Sequence, residues 1–290
     1  ITMTGIFWGL LGAIFIGVSD GIGRLTTQKA SLKILVFFIM GMSTLVMTAW
    51  LIISWDWPRW HLYSWATSIM SGLLNVLALL FLFKALARGP VSVASPAASS
   101  FSVILVLLNV LSGQPYNFIQ LFAVLIVFFG IVMLTQNATS LVSSKGYSSA
   151  WLRTTAFLGL CTGITVAFRF FLAQEAVDFL GPLHSLYLNR LSALIFIILL
   201  LLTQSNKGGG NIWPEGATFK LVLVQSVLEM LSLGAFLIGS ADGNRVGAAI
   251  GYSAFAVVTT LTAWVWLGEK VALKRIFWIV IVVGANNGVN

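Results

Sequence analysis

Long apolar runs, broken by short polar stretches, fill the chain from end to end. A helix needs about 20 mostly apolar residues to cross the hydrocarbon core of a bilayer. The pattern predicts ten such helices, at roughly 5–27, 33–54, 62–86, 91–111, 118–136, 151–174, 181–203, 217–239, 245–267 and 271–287. The runs are continuously apolar and do not alternate at every second residue, which excludes a membrane β-barrel. The first run starts almost at residue 1 and reads as a retained spanning helix, not a cleaved signal. Two connections are longer and more polar: 137–150, rich in Ser and Thr, and 204–216, with Lys207, three consecutive glycines and Asn211.

The pattern also repeats. When the chain is slid along itself so that Phe81-Leu82 falls on Phe236-Leu237, Val91 meets Val246 and Ala94 meets Ala249. Val103 then meets Val258, Ile126-Val127 meets Ile281-Val282, and Gly113 meets Gly268 at the same helix–helix turn. Coincident helix edges carry more weight here than identities, which arise easily in apolar sequence. The expected organisation is a five-helix repeat over 1–137, a linker loop at 138–150 and a second five-helix repeat over 151–290. An odd number of spans per repeat makes the second enter the membrane inverted. The fold class expected is thus an all-α integral membrane protein of about ten transmembrane helices in two inverted five-helix repeats, a recurring transporter design.

Composition agrees. Hydrophobic residues make up 59% of the chain and charged residues 8%, against about 25% charged in soluble domains. The net charge of +8 is spread over many short loops and forms no basic face, so nucleic acid is not an expected partner. One cysteine, Cys161, makes no internal disulfide, and two histidines build no metal site. No cofactor is expected. Lys and Arg set the orientation. Arg24, Lys29, Lys33, Lys84, Arg88, Lys145, Arg153, Lys207, Lys220, Lys270, Lys274 and Arg275 follow the odd-numbered predicted helices. Arg59 and Arg245, with Asp56, Glu175, Asp178 and Asp242, follow the even-numbered ones. The first set is expected in the cytoplasm and both termini outside, which leaves the sequon at Asn137 inside and unglycosylated.

Leu267-Gly268-Glu269-Lys270, between two apolar runs, resembles the turn of EamA-type proteins in the drug/metabolite transporter superfamily. The Gly-rich first run with Trp8-Gly9 is similar to that family's opening helix, and Arg190 resembles an arginine early in its repeat. Ser112-Gly113-Gln114 departs from the Gly-Glu found at the equivalent turn. The resemblance implies a secondary transporter of small organic solutes, with a central cavity lined by predicted helices 1–4 and 6–9. It further implies a multi-pass protein of a bacterial cytoplasmic (inner) membrane. Its partners would be membrane lipid and a small-molecule metabolite, and its state a monomer or homodimer.

Ionisable residues deep in a membrane are costly, so each is a candidate for function. Glu229 lies in the middle of the eighth predicted helix, with Gln225 and Ser232 on roughly the same face. It is the candidate for binding a cationic group and for proton coupling; the alternative is a buried acid that locks helices together through an arginine. Asp20 and Arg24 are spaced to form a local ion pair, or Asp20 receives substrate or partners an arginine from the other half. Arg169 and Arg190 either snorkel to a surface, hold a substrate carboxylate or neutralise Glu229. Asn75 aligns beside Glu229 in the internal repeat, as a polar contact for substrate or an interhelical hydrogen bond of about 1 kcal/mol. Tyr187, Tyr252, Trp264 and Trp8 are the aromatic candidates for a cage around an ammonium group. Trp50, Trp55, Trp57, Trp60 and Trp65 read as an interfacial belt. Pro96 and Gly251 are candidate hinges. Gly5/Gly9, Gly17/Gly21, Gly159/Gly163 and Gly247/Gly251 are spaced for close helix contact.

These features point to secondary transport of a small polar organic metabolite, an amino acid, amine or similar, by alternating access coupled to protons or exchange. A lipid or multidrug translocator of the same superfamily is the alternative. A membrane enzyme is disfavoured, because no nucleophile–base pair or metal cluster is visible.

Overall fold

The computed structural model describes residues 4–88, 91–116, 122, 148–203, 212–241 and 244–267. Among them every regular element is a helix. These are α1 (Thr4–Thr26), α2 (Leu32–Ser54), α3 (Leu62–Arg88), α4 (Val91–Ala98), α5 (Phe101–Leu111), α6 (Ser149–Leu202), α7 (Gly216–Ser240), α8 (Arg245–Tyr252) and α9 (Phe255–Leu267). Six helical stretches are long and apolar enough to cross a membrane: α1, α2, α3, Ala150–Leu202, α7 and Arg245–Trp266. The chain is a multi-pass integral membrane protein. The predicted spans 118–136 and 271–287, the Gly268-Glu269-Lys270 turn, Asn137 and the 204–211 part of the second long connection lie outside the described residues.

At 54 residues, α6 would be about 80 Å long if straight, far beyond the ~30 Å hydrocarbon core. It is not straight. Gly181, with φ 76° and ψ 167°, interrupts the helix and Pro182 follows it. The two limbs fold back on each other: the Ser185 hydroxyl donates to the Ala173 carbonyl at 3.2 Å, and Asn75 of α3 touches Arg169 on one limb and Asn189 on the other. Separate helices predicted at 151–174 and 181–203 therefore meet at one glycine, where only a residue without Cβ takes that backbone conformation.

Two predicted helices are each divided. The 91–111 run is interrupted at Ser99-Ser100, just past Pro96, and the 245–267 run at Ser253-Ala254, just past Gly251. At both places tighter bonds replace the α-helical ladder. Ser100 N–H donates to the Ala97 carbonyl at 3.4 Å and Ala254 N–H to the Gly251 carbonyl at 3.3 Å. Serine hydroxyls satisfy nearby carbonyls: Ser100 to Ala97 at 2.9 Å, Ser102 to Ser99 at 3.0 Å and Ser253 to Ile250 at 2.6 Å. The interruptions match one residue out of register with the sequence alignment, Ser99 with Ser253 and Phe101 with Phe255.

The packing crosses the chain's midpoint. α1 packs against α7, α8 and α9, while α6 packs against α3, α4 and α5. Small residues bring the backbones together. A Cβ on Gly9 would strike the Ala248 carbonyl and stand 2.9 Å from Tyr252 N. A Cβ on Gly159 would lie 2.7 Å from the Ala94 carbonyl. Around these crossings lies one core of buried apolar side chains, including Leu35, Ile39, Val76, Phe83, Phe101, Phe170, Leu233 and Phe236. Trp55, Trp57 and Trp60, between α2 and α3, are exposed, as expected of residues at a headgroup boundary.

Candidate functional site

Polar side chains inside an apolar bundle collect in two places. The first is a cavity of about 40 Å³ lined by α1, α3, α4, α5, α6, α7, α8 and α9. Asp20, Thr162, Arg169, Glu229 and Tyr252 supply its polar lining, and Phe101, Phe170 and Phe255 supply aromatic rings. Residues that flank the two helix interruptions, Ala98 and Phe101 on one and Tyr252 and Phe255 on the other, all face this space.

Glu229 of α7 is fixed by Arg190 of α6. The Arg190 Nη2 donates to the Glu229 backbone carbonyl at 2.8 Å and lies 3.7 Å from the carboxylate. Both side chains are buried. Arg190 stands behind the lining and does not face the cavity. Arg169 faces it, and its guanidinium is steadied from behind by a ring of hydrogen bonds. Arg169 donates to Asn75 Oδ1, Asn75 Nδ2 donates to Asn189 at 3.2 Å, Asn189 donates to Ser71 at 2.8 Å, and Ser71 donates back to the Arg169 carbonyl at 2.7 Å. The Arg169 guanidinium also sits 4.6 Å from the centre of the Phe170 ring, a cation–π arrangement. Its Nε is buried and has no partner among the described residues. Neither arginine snorkels: Arg190 is fully buried and Arg169 nearly so.

Tyr252 anchors an aromatic cluster. Its ring stands edge-on to Phe101, Phe170 and Phe236, with centroids 5.7, 5.1 and 5.2 Å away. Its hydroxyl lies 2.7 Å from Ser232, which donates to the Gly12 carbonyl at 2.9 Å. Of the four aromatic residues expected to form a cage, Tyr252 alone lines the cavity. Trp264 is 51% exposed and points outward. Trp8 lies against Phe7 and the Gly239 backbone, and Tyr187 is half-buried near Trp65. Helical periodicity gave no means of telling the lipid-facing side from the inner one. The other rings lining the cavity are Phe101, Phe170 and Phe255.

Gln225 is buried but stands away from the lining, accepting from the Thr26 hydroxyl at 3.2 Å. Asp20 does not pair with Arg24, whose guanidinium donates instead to the Leu86 carbonyl. Asp20 turns into the cavity. Asn189 and Gln174 are two further buried polar residues, each a polar amide standing in a long apolar run. Gln174 accepts from Asn109 at 3.0 Å and donates to Ser240 at 2.9 Å.

The second polar cluster lies at one end of the bundle. Arg245, the first residue of α8, is buried and ion-paired with Glu175 and, at 2.6 Å, with Asp178 of α6. Tyr63 of α3 donates to Glu175 at 2.9 Å. Nearby, His184 lies 3.6 Å from the Asp56 carboxylate, and His61 stacks on Phe179 at 4.4 Å. Among the described residues no group of His, Cys, Asp and Glu is arranged to hold a metal ion.

Comparison with known proteins adds the following. Residues 3–136 match the model of the EamA-like transporter family. No curated protein matches the chain. One solved crystal structure, described only as that of a protein, is similar with a TM-score of 0.74 and 15% identity, covering 100% of this chain and 97% of its own. At that identity the likeness shows a shared fold.

Proposed function

We propose that this chain, whose residues 3–136 match the model of the EamA-like transporter family, is a secondary transporter that moves a small polar organic metabolite by alternating access. The observation that carries this reading is the cavity. Its polar lining combines an arginine, two acids and a tyrosine with phenylalanine rings, and the space, about 40 Å³ in this form, widens to admit a metabolite when one end opens. Both interrupted helices meet it, and discontinuous helices in matching positions mark binding sites in transporters built from inverted repeats. The cross-packing of α1 on α7–α9 and of α6 on α3–α5 supports two inverted five-helix repeats, 1–137 and 151–290, joined by 138–150, with ten spans in all. The Lys and Arg bias supports cytoplasmic loops after the odd-numbered spans, and the family match is the ground for proposing a bacterial inner membrane.

Arg169, with its unpartnered Nε, is the group placed to receive a carboxylate or other anionic group of the substrate. Glu229 and Asp20 supply negative charge across the same space, and the aromatic rings cover apolar atoms. Amino acids, and amines bearing an acceptor group, match the chemistry of this lining. In the mechanism, Arg245 with Glu175 and Asp178 closes one end while the other is open, and the halves rock about the interruptions to reverse access.

A thermal-shift screen of the purified protein against amino acids, amines and nucleosides tests the reading, followed by uptake of any hit into proteoliposomes. Hits bearing an anionic group should lose their shift in Arg169→Gln. A panel without polar hits, or hits indifferent to both Arg169→Gln and Glu229→Gln, would place binding elsewhere. Stabilisation by apolar cations or lipids alone would favour a multidrug or lipid translocator.

A further inference from the structure

Two acids line the cavity, and they are not equivalent. Glu229 already has a cation, Arg190, on its carboxylate and its backbone carbonyl. Asp20 is 2% exposed and has none. Among the described residues it makes no ion pair, since Arg24 is turned to Leu86. Among the described residues its carboxylate accepts one hydrogen bond, from Thr259 at 3.4 Å, the long end of the range. That hydroxyl also lies 2.9 Å from the Phe255 carbonyl, so its single hydrogen is shared. An uncompensated carboxylate is expensive in such surroundings. It is stable there as a neutral acid, or with a cation that arrives from outside the chain.

The charged and titratable groups facing this space are Glu229 from α7, Arg169 from α6 with Arg190 behind it, and Tyr252 from α8. α4, α5 and α9 contain no ionisable side chain in their described spans. On α3, Tyr63 binds Glu175, Lys84 is exposed and Arg88 lies over Trp151. No second cation therefore stands against Asp20 among the described residues. Its stretch of α1 is also pressed on the far side of a helix interruption. A Cβ on Gly17 would stand 2.9 Å from Thr259 N, and one on Gly21 would collide with Thr262. Any tilt of α9 about Ser253-Ala254 moves Thr259, the donor to Asp20.

We infer that Asp20, and not Glu229, is the exchangeable acid of this site, holding a proton while the cavity is empty and releasing it when a cationic group of the substrate enters. The carboxyl O–H bond breaks, the proton passes to water at the open end, and the carboxylate left behind forms an ion pair with the incoming ammonium. Glu229 stays with Arg190 throughout and keeps α6 and α7 in register. This assignment rests on the transport reading above and names the coupling group within it.

Infrared difference titration of the purified protein reads the carboxyl directly, through the C=O stretch of a buried protonated acid. The wild type and Glu229→Gln should show a titrating band that is absent in Asp20→Asn and shifted in frequency in Asp20→Glu. The last variant keeps the acid and guards against misfolding of the asparagine form. Propylammonium chloride at fixed pH should diminish the band in the wild type. A band that survives Asp20→Asn but vanishes in Glu229→Gln overturns the assignment, as does the lack of any titrating buried carboxyl. A band that propylammonium leaves unchanged overturns the exchange. The band reports on Asp20 whether or not a metabolite is found to bind, so its loss and the loss of the transport reading are told apart.

Discussion

Arg190 holds Glu229 by two atoms at once, its Nη2 lying 2.8 Å from the backbone carbonyl and 3.7 Å from the carboxylate. A buried pair of this kind adds little over well-packed apolar residues, but removing one member leaves the other stranded. Arg190→Met is expected to lower stability by about 3–5 kcal/mol. Adding Glu229→Gln should recover part of the loss. Thermal unfolding of the four forms in detergent gives the coupling; strict additivity would mean that the two residues act independently.

Gly181 has open space around an added Cβ, with nothing within 4 Å, but its φ of 76° and ψ of 167° suit glycine alone. Gly181→Ala should therefore destabilise by about 1–3 kcal/mol through backbone strain. Gly234→Ala is the control: it sits within a helix, 3.5 Å from Leu186 Cδ2, and should be neutral or slightly stabilising. Equal melting temperatures for both variants would contradict a strained turn.

Gly9 tests the crossing of α1 and α8. Gly9→Ala drives a methyl group into the Ala248 carbonyl and to 2.9 Å from Tyr252 N, backbone atoms that yield only if the helices part. About 1–3 kcal/mol should be lost. Gly41→Ala, with Leu194 Cδ1 at 3.8 Å, should leave the melting temperature nearly unchanged.

The end cluster divides by exposure. Asp178 is 67% exposed, so Asp178→Asn should cost less than about 1 kcal/mol and its effect should fade as salt is added. Arg245 is buried and serves both acids. Arg245→Gln should destabilise more than either acid's neutralisation and retain that effect at high salt. A reversed order in thermal unfolding would show that the cluster is solvated throughout.

Tyr252→Phe keeps the ring among Phe101, Phe170 and Phe236 but removes the hydroxyl at 2.7 Å from Ser232. Ser232 retains the Gly12 carbonyl. The expected loss is about 0.5–1.5 kcal/mol, measurable by thermal unfolding; a loss comparable with Arg190→Met would indicate a wider role for that hydroxyl.

Where a helix runs was written plainly in the sequence. The predicted runs 5–27, 33–54, 62–86 and 217–239 fall within about two residues of α1, α2, α3 and α7, because lipid demands a set length of apolar chain. Which way a side chain turns was much less legible. Lipid and protein interior are equally apolar, so Trp264 and Tyr252 looked alike in the sequence, yet one points outward and the other lines the cavity. Local spacing misled at Asp20, since Arg24 finds Leu86 across the bundle. Glu229 and Asn75 were legible as polar groups in apolar runs, whereas their partners Arg190 and Arg169 are set by tertiary packing.

The serine hydroxyls at the two helix interruptions have a consequence in hydrocarbon. A peptide group stripped of its helical partner has no water to turn to inside a bilayer. The Ser100 and Ser253 hydroxyls give the Ala97 and Ile250 carbonyls a second donor from within the chain, at 2.9 and 2.6 Å, beside the tight backbone N–H bonds there. Each joint thus carries its own substitute for solvent, and the bends leave the Ala97 and Ile250 carbonyls satisfied inside the bundle.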